Sequence, residues 1–71
     1  MAIRVLSFVY DEAKAFELED STPLRVKDIL LRLSIPLDLF GIAISKGKVL
    51  MLDDEVSPGS EVRIIPPVGG G

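Results

Sequence analysis

Two runs, one near each end of the chain, carry apolar side chains on both faces, and they constrain the fold more than anything between them. In residues 2–10, Ile3, Val5 and Val9 alternate with Arg4, Leu6, Phe8 and Tyr10. In residues 61–65, Val62 and Ile64 alternate with Arg63 and Ile65. A period of two marks a strand. A strand that is apolar on both sides suits the middle of a sheet, so the first and last runs are expected to be central neighbours. A helical segment separates them, which provides the crossover that parallel strands need.

The intervening chain supplies the rest of one domain. Asp11-Glu12 reads as a solvated turn, and residues 14–19 as a second strand with Phe16 and Leu18 inward and Lys14, Glu17 and Glu19 outward. Thr22 is placed to cap a helix and Pro23 to open it, because a missing N–H costs nothing at the first helical position. Val26, Ile29, Leu30 and Leu33 then form one apolar face, with Arg25, Lys27, Asp28 and Arg32 turned away. The helix must stop before Pro36. Residues 35–39 read as a connector tucked under the sheet edge. Residues 40–45 read as a third strand with Ile42 and Ile44 on one face. Lys46-Gly47 turns the chain into a fourth strand at 49–52, although Lys in place of Asn weakens a type I′ assignment. Ser57-Pro58-Gly59-Ser60 is a turn by composition. The order strand, strand, helix, strand, strand, strand is α+β. In the first and last strands arginine marks the solvent side, because an unpaired buried guanidinium is costly. The helix should therefore cover Ile3, Val5, Phe16, Leu18, Val62 and Ile64. Leu6, Phe8 and Ile65 should lie on the open face beside Arg4 and Arg63.

Several chemistries are excluded. The 71 residues contain no cysteine and no histidine, which removes the thiol nucleophile, the thiolate metal site and the commonest general base. A core this small leaves no room for a buried cleft. The net charge of −3 argues against nucleic acid. The apolar runs are far too short for a membrane span, and the first residues lack the regions of a signal peptide, so a cytoplasmic protein is expected. Gly41 and Gly47-Lys48 are no phosphate loop: the spacing is one residue too long and Val49 stands where Ser or Thr is needed. Asp53-Asp54-Glu55 lacks the alternation of a cation loop and reads as a solvated charge run. With 48% apolar residues in so small a domain, an exposed apolar patch is expected.

The candidate site is the tail. Pro66-Pro67 ends the last strand, since neither offers a backbone donor, and continues as a short stiff rod away from the body. Pro67, Val68, Gly69, Gly70 and Gly71 then form a slender extension beyond a domain of residues 1–66. Glycine carries no Cβ, so this segment suits a channel too narrow for side chains. Its reactive group is the α-carboxylate of Gly71, a poor electrophile until a partner converts it to an acyl-adenylate. A sulfur nucleophile or an amine then displaces AMP.

The ending Ile64-Ile-Pro-Pro-Val-Gly-Gly-Gly71, the turn Ser57-Pro58-Gly59-Ser60 before it and the opening Met1-Ala-Ile-Arg-Val-Leu-Ser-Phe8 resemble the ubiquitin-like sulfur carriers. These include the molybdopterin synthase small subunit and the thiamine-pathway sulfur carrier. The resemblance spans essentially the whole chain, and its most specific part is Pro66-Pro-Val-Gly-Gly. It implies a β-grasp fold with a mixed sheet of four to five strands and one helix across one face. It implies a carrier rather than an enzyme. An E1-like adenylating enzyme would activate Gly71 with ATP and Mg²⁺ that this chain does not itself bind. A sulfur donor protein would convert it to a thiocarboxylate, and molybdopterin synthase large subunit or thiazole synthase would receive the sulfur. Leu6, Phe8, Arg63, Ile65 and Pro66 are the expected partner-binding residues. Pro66-Pro67 favours the molybdopterin (or tungstopterin) pathway, and the short first hairpin favours thiamine. Isopeptide formation with a target lysine is the alternative fate of the same activated glycine.

Overall fold

A computed structural model describes residues 1–67. Its main sheet has five strands: β1 (Ala2–Ser7), β2 (Lys14–Glu19), β4 (Ile42–Ser45), β5 (Lys48–Leu50) and β7 (Glu61–Ile65), in the order β2-β1-β7-β4-β5. The two end runs are central neighbours and parallel, with Val5 opposite Val62 and Leu6 opposite Arg63. The other pairings of this sheet are antiparallel. One helix, α1 (Val26–Arg32), provides the crossover. This is the β-grasp fold, a ubiquitin-like α+β architecture.

The core lies between helix and sheet. Ile3, Val5, Val62 and Ile64 from the central strands meet Val26, Ile29 and Leu30 from α1, and all seven are fully buried. Phe16, Leu18 and Leu33 are partly buried against this cluster. Each central side chain contributes about 1.5–3 kcal/mol by leaving water.

Several elements differ from the expectations above. β1 ends at Ser7, so Phe8 and Tyr10 lie beyond it. β4 begins at Ile42 and β5 covers Lys48–Leu50. Thr22 and Pro23 do not open the helix. Thr22 donates its backbone N–H and its hydroxyl to one oxygen of Asp20, at 3.0 and 2.9 Å. Leu24–Arg25 instead forms a two-residue strand, β3, paired antiparallel with β6 (Glu55–Val56). The first helical donors are satisfied from a distance: Val26 N–H donates to the Asp54 carbonyl and Lys27 N–H to the Leu52 carbonyl, at 2.9 and 3.0 Å. A loop thus takes the place of a side-chain cap. The Asp53–Glu55 run is exposed as expected, but its backbone holds the helix start.

The helix stop is local. Ser34 has a φ of 56°, its N–H donates to the Leu31 carbonyl, and the Ile35 N–H donates to the Leu30 carbonyl. This is a Schellman arrangement built on serine rather than glycine, with buried Ile35 packed back on the core. Lys46 and Gly47 both have positive φ, 53° and 75°, the type I′ requirement that Lys46 was expected to weaken. The pairing of Ser45 with Lys48 leaves two residues for the turn, and strand twist then demands the primed form.

Candidate functional site

The face of the sheet opposite α1 is built by cross-strand register. Leu6 lies beside Ala15 on one side and Arg63 on the other; Arg63 lies beside Ile44, and Ile44 beside Val49. One row therefore crosses all five strands as Ala15, Leu6, Arg63, Ile44 and Val49. Ile42 and Ile65 form the next pair toward the end of β7. Leu6, Ile42, Ile44 and Ile65 are half-buried, while Arg4 and Arg63 are exposed. Phe8 follows β1 directly and is 39% exposed, with its N–H donating to the Ile64 carbonyl at 2.9 Å. Leu6, Arg63 and Ile65 thus fall where the alternation placed them, while Phe8 is exposed but lies past the end of β1.

Glu61 sits between two cations on this face. Its two carboxylate oxygens lie 3.8 Å from the Nε atoms of Arg4 and Arg63. Such long, exposed pairs add little stability. Their consequence is positional, because guanidinium donors remain beside the apolar row. A shallow groove lined by Ile44, Lys46, Gly47, Glu61, Arg63 and Ile65 runs across the same surface. Ile42, Ile44 and Val49 also lie on this face, to which the sequence reading did not assign them. Their alternation was visible, but which face they occupy depends on the pairing of β4 with β7.

The root of the tail also departs from expectation. Pro66 does not leave the body freely. It is half-buried, and its peptide link to Pro67 lies directly over the Cα of Gly41. The Gly41 N–H donates to the Ile65 carbonyl at 2.8 Å. Pro67 is exposed. Val68, Gly69, Gly70 and Gly71 lie outside the described residues. Away from this region, Asp20 is held below the ordinary aspartate range, mainly by the Thr22 backbone N–H and hydroxyl, with Arg32 adding to the effect.

Among the described residues no cluster of acidic side chains is arranged to hold a metal, and no helix is long and apolar enough to cross a membrane. What the body presents is a half-covered apolar sheet face carrying two arginines, with a proline pair at the strand end beside it. The fold is that of a ubiquitin-like protein. The model of the ThiS family matches residues 3–71, and the chain belongs to this family of sulfur-carrier proteins. Its members are small non-catalytic carriers that work with E1-like activating enzymes and synthase partners. No curated protein matches the chain.

Proposed function

We propose that this protein carries sulfur as a C-terminal thiocarboxylate on Gly71 and delivers it during molybdopterin or tungstopterin formation. A Gly71 carboxylate oxygen attacks the α-phosphate of ATP, and pyrophosphate leaves. Sulfide-level sulfur from the donor protein then attacks the acyl carbon, and the C–O bond to AMP breaks. ATP, Mg²⁺ and the catalytic thiols belong to the partners. The observation that carries this reading is the junction of the open face with the end of β7. Leu6, Phe8, Arg63, Ile65 and Pro66 give an activating enzyme a grip on the body, and Pro67 to Gly71 run from that grip into its channel. Apolar and aromatic anchors rimmed by charge are what such an interface centre requires.

Incubation with the E1-like enzyme, ATP and the sulfur donor is expected to exchange one oxygen for sulfur at Gly71, read by intact mass. The thiocarboxylate form is then mixed with molybdopterin synthase large subunit and its pterin precursor, or with thiazole synthase and its substrates. Sulfur transfer to the pterin supports the proposal; transfer only in the thiazole mixture overturns the pathway. The thiazole reading has its own support in the short connection of residues 8–13 between β1 and β2.

A further inference from the structure

Gly41 packs against the peptide that joins Pro66 to Pro67. A Cβ built there would lie 2.6 Å from the Pro66 carbonyl oxygen, 2.7 Å from the Pro66 carbonyl carbon and 2.7 Å from the Pro67 nitrogen. All three atoms are backbone, so no side-chain rotation relieves the contact. The glycine is not needed for its own dihedral freedom, because its φ lies outside the left-handed region. It is needed for the space above it. The Pro66–Pro67 peptide has no N–H of its own with which to be held. Its position is set by packing on Gly41, together with the Gly41 N–H bond to the Ile65 carbonyl.

We propose that Gly41 is a positioning residue that aims the tail: it seats the Pro66–Pro67 peptide and so fixes the direction from which the last four residues continue. The inference rests on the sulfur-carrier reading for its importance, but the geometry it asserts can be measured without that reading. A methyl group at residue 41 requires the proline peptide to retreat by about 0.8 Å to reach ordinary contact at 3.4 Å. The ring of Pro67 fixes its φ, so the displacement is not relieved at that bond. Misplacement of a reacting group by about 1 Å can cost about a hundredfold in rate. Of the docking residues only Pro66 is touched directly; Leu6, Phe8 and Arg63 are not, so most of the docking should survive while delivery of Gly71 suffers.

The test compares wild type with Gly41→Ala. The chain has no cysteine, so nitroxides attached at Val49→Cys and Val68→Cys are specific. The inter-spin distance distribution is expected to shift in Gly41→Ala. With the E1-like enzyme, kcat for adenylation should fall about tenfold to a hundredfold, while KM stays within about threefold because Leu6, Phe8 and Arg63 of the docking surface are undisturbed. An unchanged distance distribution overturns the proposal, as does a change confined to KM. Pro67→Gly frees the pivot, so Gly41→Ala added to it should change kcat by less than about twofold, the non-additivity of two residues acting through one peptide. This pair decides the matter if the single variant folds poorly. A further tenfold fall at unchanged melting temperature would place the role of Gly41 elsewhere. If wild type itself is never adenylated, the sulfur-carrier reading fails, and the spin-label distances still decide whether Gly41 aims the tail.

Discussion

The two faces of the main sheet are made by the same strands and do opposite things. On one, Ile3, Val5, Val62 and Ile64 are sealed beneath α1. On the other, Leu6, Ile42, Ile44 and Ile65 are only half covered and share their surface with Arg4 and Arg63. Both faces are apolar, so hydrophobicity does not distinguish them. The arginines do, because each must keep its guanidinium in water and thereby bars a second layer. Apolar area on the helix face stabilises the folded chain; apolar area on the open face remains available to a partner.

The sharpest way to break this contrast is a pair of truncations. Ile64→Ala should destabilise folding by about 2–5 kcal/mol, since a cavity remains beneath α1, and a melting curve reads this directly. Phe8→Ala should cost about 1–3 kcal/mol of affinity for the activating enzyme by titration, with a much smaller loss of folding stability. If Phe8→Ala unfolds the protein as readily as Ile64→Ala, the faces do not divide as described.

A smaller effect tests the helix face from within. Ser7 ends β1 opposite Ile64 of β7, is almost fully buried, and among the described residues its hydroxyl has no hydrogen-bond partner. A buried unpaired hydroxyl is a penalty, so Ser7→Ala should be neutral or stabilising by up to about 1 kcal/mol. A clear loss of stability in denaturant titration would mean that the hydroxyl is satisfied. The smallest effect concerns Asp20, on neither face. Its pKa lies below the ordinary value of 3.8. A depressed folded-state pKa gives stability that is present above 3.8 and lost as pH falls through the folded value. Thr22→Ala removes the hydroxyl donor and should move the Asp20 titration upward in an NMR pH series. No movement would mean that the backbone N–H and Arg32 suffice.

Much of this was legible from short-range pattern. β2 occupies residues 14–19 as its alternation indicates, β7 occupies 61–65, and the parallel central pair follows from two runs apolar on both sides. The helix face of Val26, Ile29, Leu30 and Leu33 is likewise local. Its start was not legible, because the local signals at Thr22 and Pro23 are real but outcompeted. Two carbonyls from residues 52 and 54, together with the Leu24–Val56 pairing, hold the chain extended until Val26. The candidate site divides in the same way. Leu6, Arg63 and Ile65 could be assigned because arginine labels the solvent side of their own strands. Ile42 and Ile44 carry no such label.

What the sequence determined by itself was therefore the five strands of the main sheet, the apolar stripe of the helix, the solvent side of the two central strands and the proline stop after Ile65. Each is fixed by side chains within a few residues of one another, through periodicity, charge or a missing donor. Only the tertiary structure decided the helix start, the face taken by β4 and β5, and the seating of Pro66–Pro67 on Gly41. Each depends on segments far apart in the chain, and no local preference at Gly41 reveals that a peptide 25 residues later needs the space where its side chain would be.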